Sequence, residues 1–212
     1  MAIVWTEENA SQERTNTWTH GLGFAASLPA GTALISASWQ KSTLIVAACI
    51  VYALSLSLMY LFSTLSHGVK EQFLRHRVRA LDQGFVYTLI AGTFTPFICA
   101  FLTGWLCVGM LALVWGAAGA GFYSKVFSKH RVNNMASLTY LLLGWVPAMV
   151  LFAYVPTGCF VMMAIGGVIY SLGVWFLQND HRSDYHHAIW HVAVIVASAW
   201  HYAAIWIYAV AS

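Results

Sequence analysis

The stretch SDYHHAIWHVAVIVASAWHYAAIW, residues 183–206, decides how the chain folds. It contains an apolar run long enough to cross a bilayer, because about 20 apolar residues span the hydrocarbon core as a helix. Yet it carries four histidines, His186, His187, His191 and His201, where polar groups are costly. His187 and His191 are four residues apart and therefore share one helix face. The stretch predicts a transmembrane helix that presents imidazoles to something other than lipid.

The composition of the whole chain indicates the same surroundings. Of its 212 residues 60% are hydrophobic and only 8% are charged, whereas a soluble domain carries about 25% charged residues. The net charge of +3 is small, and no basic face alternates with exposed aromatic residues, which argues against nucleic-acid binding. We therefore expect a single integral membrane domain over residues 1–212, with membrane lipid as its partner.

Long apolar runs occur seven times, which predicts an all-α bundle of seven transmembrane helices. The predicted spans are approximately 18–38, 43–65, 82–102, 104–124, 136–155, 158–178 and 187–210. The longest connection between them is 66–81. Glycines and alanines cluster in the fourth and sixth spans, and we expect those faces to pack closely against other helices. Gly116, Gly119 and Gly121 belong to the fourth span.

The distribution of lysine and arginine predicts the orientation, because cytoplasmic loops carry an excess of positive residues. Nine of the ten lie at one side of the predicted bundle: Arg14, Lys70, Arg75, Arg77, Arg79, Lys125, Lys129, Arg131 and Arg182. Only Lys41 lies at the other side. We therefore expect a cytoplasmic N-terminus and an external C-terminus.

Five ionisable residues fall at one predicted depth, near the cytoplasmic ends of their spans. They are His20, His67, Asp82, His187 and His191. Ionisable groups inside a membrane usually face the bundle interior or a cavity, so these side chains are expected to meet there.

Several imidazoles and one carboxylate at one depth predict a metal site. Nitrogen and oxygen ligands without a nearby cysteine favour zinc. The predicted ligands are His67, His187 and His191, with Asp82 as the general base or orienter of an attacking water. His201 lies ten residues beyond His191, so roughly 15 Å further along the helix, and is too distant for the same ion. The alternative is that these histidines are only hydrogen-bonded residues at helix ends.

Further polar residues follow helical spacing beside this predicted site. Glu13, Asn16 and His20 are spaced i, i+3, i+7 and lie on one helical stripe. Ser63 lies one helical turn before the histidine of the second span, so the two share a face.

Sequence motifs at these positions resemble those of a known family. They are E-x-x-N-x-x-x-H at 13–20, S-x-x-x-H at 63–67, L-D followed by I-A-G-T-F-T-P-F within 81–97, and H-H-A-I-W-H at 186–191. In this order they are similar to the bacterial haemolysin III proteins of the progestin and adiponectin-Q receptor family, which is related to the alkaline ceramidases. The resemblance covers nearly the whole chain.

The resemblance implies a zinc site with the same three histidine ligands. It also implies that Asp82 holds the attacking water and that Ser63 lies near the site, while residues 13, 16 and 20 support it from behind the ligands. Ser66 departs from the family pattern, because many members carry an aromatic residue there. The resemblance therefore leaves the shape of the pocket, and with it the substrate, open.

Three functions are compatible with these features. The first is a zinc-dependent intramembrane hydrolase of lipid amide or ester bonds, in which Asp82 takes a proton and Ser63 stabilises a developing oxyanion. The second is a non-catalytic protein with a structural zinc that senses or maintains the state of the membrane. The third is pore formation, which the haemolysin name implies but which seven hydrophobic helices without a soluble form do not favour.

Overall fold

The computed structural model describes residues 10–127 and 135–211, and its regular elements are helical throughout. It has seven α-helices: α1 Ala10–Ser38, α2 Thr43–Gly68, α3 Gln72–Phe101, α4 Gly104–Val126, α5 Met135–Leu151, α6 Thr157–Gln178 and α7 His186–Ile205. A short 3-10 turn, Asp180–Arg182, precedes α7, and a π-helical turn, Trp206–Val210, follows it. The all-α fold is confirmed.

The helices form a closed bundle. Neighbours in sequence pack against each other along α1, α2, α3 and α4, and again between α6 and α7. α7 also packs against α1, and α5 contacts α3, α4 and α6. This closure brings the first and last helices together.

The distribution of polar and apolar side chains is the reverse of that in a soluble protein. Large apolar side chains cover the outside of the bundle, among them Trp18, Leu22, Trp39, Leu54, Trp105, Leu113 and Leu172. Polar side chains are buried within it, including Glu13, Asn16, His20, Arg75 and His191. Within the described residues, six helices are long and apolar enough to cross a membrane, and α5 is a shorter apolar helix. The chain is therefore a multi-pass membrane protein.

Several helices extend beyond the spans that hydropathy delimits. α1 begins at Ala10 instead of about residue 18, and α3 begins at Gln72 instead of about residue 82. The predicted connection 66–81 is wrong, because α2 continues to Gly68 and most of the rest is the polar start of α3. Glu71 caps that start by accepting bonds from the amides of Phe73 and Leu74 at 2.9 and 2.6 Å.

The expected close packing of the small residues in α4 is only partly found. A Cβ added at Gly121 would lie 2.4 Å from the ring of Tyr87 on α3, so only glycine lets the two helices approach this closely. Gly116 and Gly119 are exposed, and a Cβ at either one would meet no other part of the described chain within 4 Å. The prediction is therefore confirmed for Gly121 and wrong for Gly116 and Gly119.

This contrast predicts opposite outcomes for two substitutions on one helix. We expect Gly121→Ala to destabilise the protein by about 1–3 kcal/mol, because the new methyl group overpacks against Tyr87. Gly119→Ala should be neutral or stabilising by up to about 1 kcal/mol, because alanine is the better helix former. Thermal unfolding of both variants in detergent micelles measures this, and equal midpoints would contradict it.

Candidate metal centre

Three histidines from two helices meet inside the bundle. One ligand atom each from His67 of α2 and from His187 and His191 of α7 lies within 4.8 Å of the others. The ring centroids are 4.8–5.1 Å apart. His67 and His191 are buried, and His187 is partly exposed. The predicted convergence of these side chains is confirmed as a cluster that could hold a metal ion.

Hydrogen bonds fix the protonated nitrogen in two of these rings. His67 donates from Nδ1 to the carboxylate of Glu13 at 2.7 Å. His191 donates from Nδ1 to the hydroxyl of Thr19 at 3.0 Å, and that hydroxyl donates in turn to the Asn16 carbonyl. A neutral imidazole carries one N–H, so Nε2 of each ring keeps its lone pair. Metal-binding histidines typically show this pattern, because the outer partner fixes the ring.

The third histidine has an acidic neighbour outside the membrane-spanning helices. Nδ1 of His187 lies 3.7 Å from the carboxylate of Asp180, in the 3-10 turn before α7. The adjacent imidazole lowers the pKa of the Asp180 carboxyl below its ordinary value. Asp180 is therefore available as an anion to orient His187.

The donor set fits a zinc ion. Nε2 of His67 is buried and has no hydrogen-bond partner among the residues that the structure describes. A buried acceptor without a partner is unfavourable, and an ion between the rings would satisfy it. Zn–N bonds are about 2.0–2.1 Å long, so the rings would draw together slightly around it. Three nitrogen ligands would leave a coordination position open.

Glu13 connects three helices behind the cluster. Its carboxylate accepts from His67 of α2 and forms ion pairs with Arg75 at 2.5 Å and Arg79 at 3.0 Å, both from α3. Glu13 and Arg75 are buried. Removing one partner of such a buried pair leaves an uncompensated charge in the interior. The two arginines therefore keep Glu13 ionised and in place against His67.

His20 lies directly behind His191. The two rings are stacked with centroids 3.6 Å apart and an interplanar angle of 13°. Nδ1 of His20 lies 2.7 Å from the hydroxyl of Ser63. Asn16 is buried one turn earlier on the same stripe. The residues predicted to support the ligands are thus placed around them by α1.

Asp82 is held beside the cluster by Ser66. The hydroxyl of Ser66, next to His67 in the chain, donates to the carboxylate of Asp82 at 2.8 Å. Ser66 is fully buried and Asp82 is partly buried. A serine here thus bonds the proposed general base, which a phenylalanine side chain could not do.

A single cavity of about 1040 Å³ contains the cluster and continues into the bundle. This volume is at the upper end of the roughly 300–1,000 Å³ of ligand sites. One end is polar, with His67, Asp82 and His191. The deeper part is lined largely by apolar side chains, among them Leu89, Ile90, Phe94, Phe97, Met163 and Val194. The cavity thus joins a polar end, which could hold a metal ion, to a chamber suited to an apolar chain.

Sequence reasoning missed four of these contacts, those of Thr19, Ser66, Arg75 and Arg79. For the arginines the spacing held a signal, because Arg75, Arg79 and Asp82 follow i, i+4, i+7 and share one face of α3. Because residues 66–81 were predicted to be a connection, this shared face of α3 was not recognised. Thr19 and Ser66 gave no comparable signal, because their partners belong to other helices.

Comparison with known proteins finds relatives along nearly the whole chain. Residues 8–202 match the family described as haemolysin-III related. Hemolysin-3 of Bacillus cereus is 36% identical over 192 residues, which cover 89% of this chain and 87% of that protein. The Hemolysin-3 homolog of Bacillus subtilis (strain 168) is 33% identical, with coverage of 89% and 90%. The human monocyte to macrophage differentiation factor is 32% identical over 208 residues, covering 93% and 84%.

The geometry predicts a graded loss of metal affinity. We expect wild-type protein to retain about one metal ion per chain and His187→Ala to lose it, because one of three ligands is removed. Glu13→Gln should weaken metal binding by about 10- to 100-fold, because the partner of His67 is changed. Elemental analysis after dialysis against a series of chelator concentrations measures both effects.

The neighbouring His186 provides the matched control. Its Nδ1 contacts the Asn179 carbonyl at 2.7 Å, and it does not belong to the cluster. His186→Ala should therefore retain metal like the wild type. Equal metal content in His186→Ala and His187→Ala would overturn the assignment of the ligands.

Proposed function

The chain belongs to the haemolysin-III-related family, and from that premise we propose that it is a zinc-dependent hydrolase of lipid amide or ester bonds within the membrane. The observation that carries the proposal is the shared cavity, in which three convergent histidines and a carboxylate open onto an apolar chamber. A lipid whose scissile carbonyl lies at the histidines could extend its acyl chain into that chamber.

In this proposal His67, His187 and His191 hold the ion. Bound zinc polarises a carbonyl and lowers the pKa of water, so that a nucleophile is available at neutral pH. Asp82 accepts the proton of the attacking water and passes it to the leaving amine or alcohol. The bond from carbonyl carbon to nitrogen or oxygen breaks, and the products are a free fatty acid and an amine or alcohol.

Two serines have separate proposed roles. Ser66 orients Asp82 through its 2.8 Å hydrogen bond. Ser63 is 2.7 Å from Nδ1 of His20, and a hydroxyl both accepts and donates. Ser63 can therefore accept from His20 and still donate to the substrate's carbonyl oxygen as negative charge develops there.

A non-catalytic protein with a structural zinc is the second candidate. The observation that favours it is that the histidines connect α2 with α7, while Glu13 connects α1 with both α2 and α3. An ion there would clamp the bundle, and its binding energy would contribute to folding. Such a protein could respond to the composition of the membrane without turnover.

For the membrane topology we propose seven crossings, with α5 counted as one, a cytoplasmic N-terminus and the inner membrane of a bacterium as the location. The support is the excess of lysine and arginine at one side of the bundle. Lys129 and Arg131 of that set lie outside the described residues. The histidine cluster would then lie near the cytoplasmic face.

Fatty-acid release distinguishes the two candidate functions. With lipid amides and esters in mixed micelles, we expect turnover by the wild type and none by His191→Ala. Asp82→Asn should retain zinc but lose about 100- to 10,000-fold in kcat, because the proton acceptor is removed. Glu71→Gln, an exposed carboxylate before α3 that does not line the cavity, is the control and should match the wild type.

Two results would contradict the hydrolase. One is equal release by wild type and His191→Ala. The other is no release from any lipid together with a large loss of thermal stability on chelation, which would favour the structural zinc.

Labelling of single cysteines tests the topology. In a chain whose four native cysteines are replaced, Gln40→Cys lies between α1 and α2, and Lys70→Cys lies between α2 and α3. Both positions are exposed. A membrane-impermeant maleimide added to spheroplasts should label position 40 and leave position 70 unlabelled until the membrane is opened. The reverse pattern would invert the orientation.

A further inference from the structure

The first two turns of α3 project beyond the end of its neighbour α2. Ser66 of α2 and Asp82 of α3 lie at one level of the bundle, because their side chains are hydrogen-bonded. α2 continues only two residues past Ser66, to Gly68, whereas α3 begins ten residues before Asp82, at Gln72. The difference is eight residues of helix, or roughly 12 Å. The start of α3 therefore lies beyond the histidine cluster, at the level where lipid headgroups surround a membrane protein.

Two large apolar side chains of this projecting segment are exposed. The exposed fraction is 63% for Phe73 and 48% for Leu74. Apolar surface is unfavourable in water, and helical segments that combine it with basic residues typically lie at the boundary between headgroups and acyl chains. The exposure of Phe73 and Leu74 therefore indicates contact with lipid at this level.

The arginines of the segment point to two different sides of α3. Arg75 and Arg79 are one turn apart, and both pair with Glu13 in the interior. Arg77 is two residues from each, so it lies on the opposite side of the helix, and it is exposed. The described part of the chain gives Arg77 no ion pair. Its charge is therefore presented to the surroundings of the bundle.

Arg77 and Phe73 form one continuous surface. The guanidinium carbon of Arg77 lies 4.3 Å from the centroid of the Phe73 ring, and such a cation is attracted to the face of the ring. The N–H groups at the edge of the guanidinium plane remain able to bind an anion. Lys70, just before the helix, is also exposed and adds a second positive charge. The nearby carboxylate of Glu71 is occupied by two backbone amides at the start of α3.

We propose that Lys70, Phe73, Leu74 and Arg77, which we call the α2–α3 corner, bind an anionic phospholipid. The guanidinium of Arg77 donates to the phosphate oxygens of the headgroup, and Lys70 supplies a second charge. Phe73 and Leu74 lie against the upper part of an acyl chain. Charge complementarity identifies the partner, because basic residues beside a membrane attract anionic lipids.

This site is separate from the cavity, because none of the four residues of the α2–α3 corner lines it. The proposal therefore does not depend on hydrolase activity. It also goes beyond the general excess of lysine and arginine at this end of the bundle, because it assigns the affinity for an anionic lipid to one surface.

Native mass spectrometry of the full-length protein, released from detergent micelles with added lipid, tests the proposal. The probes are phosphatidylglycerol and phosphatidylcholine with identical acyl chains, so that only the former carries a net negative charge. The attraction between one basic residue and an anionic membrane surface corresponds to about fivefold in affinity. With two such residues, we expect the first molecule of phosphatidylglycerol to bind the wild type about 25-fold more tightly than phosphatidylcholine.

Substitutions locate the effect. Arg77→Gln and Lys70→Gln should each lower the preference about fivefold, whereas Arg77→Lys keeps the charge and should retain most of it. The matched control is Arg182→Gln, which removes the same charge from an exposed position between α6 and α7 at the same end of the bundle. This control should keep the preference of the wild type. If Arg77→Gln does not fold, Lys70→Gln, which lies outside the helices, makes the same test.

Three results would overturn the proposal. The first is equal affinity of the wild type for the two lipids. The second is a preference that persists when Lys70→Gln and Arg77→Gln are combined, as expected if the exposed ring of Phe73 contacts a protein partner instead. The third is an equal loss in Arg182→Gln, which would show that only the overall charge attracts the lipid. Each result is distinct from failure of the hydrolysis assay, because lipid binding requires no turnover.

Discussion

The buried carboxylate of Glu13 is the interaction on which the rest of the interior depends. It is shared by His67, Arg75 and Arg79, so one anion fixes the relative positions of α1, α2 and α3. Buried charges are tolerated only when each is paired and hydrogen-bonded. Glu13 forms ion pairs with two arginines at once, and it is hydrogen-bonded to Arg79 and to His67, whose tautomer it also sets. The same carboxylate therefore forms the buried ion pairs and orients the nitrogen of His67 that could bind a metal ion.

The lipid surroundings explain why these polar residues collect in one place. A histidine or aspartate facing the hydrocarbon would be costly, and together they satisfy one another. Ser66 bonds Asp82, Ser63 lies against His20, and Thr19 bonds His191. Each of these contacts joins two different helices, so the polar cluster also specifies how the helices are arranged. The cavity beyond it remains apolar except for a few paired groups and His201.

The fold class and the cluster of three histidines were predictable from sequence because both depend on local signals. Apolar length marks a span, and the i, i+4 spacing of His187 and His191 marks a shared face. The predicted membrane depth of His67 matches that of the two histidines of α7, which related α2 to α7. Hydropathy does not detect a polar helix end. It therefore indicates a connection where α3 begins with Arg75 and Arg79. Contacts such as that between Ser66 and Asp82 depend on how two helices are rotated against each other, and a single sequence carries no direct signal for that rotation.

The order of helices along the chain has a consequence for biogenesis. The network of Glu13 with α2 and α3 needs only the first three helices, whereas the histidine cluster also needs α7, which is synthesised after the six helices before it. Domains are synthesised from the N-terminus at about 5–20 residues per second, so the early helices can dock while translation continues. A nascent chain therefore has His67 already oriented but lacks two of the three ligands, and a truncated product cannot assemble the complete cluster.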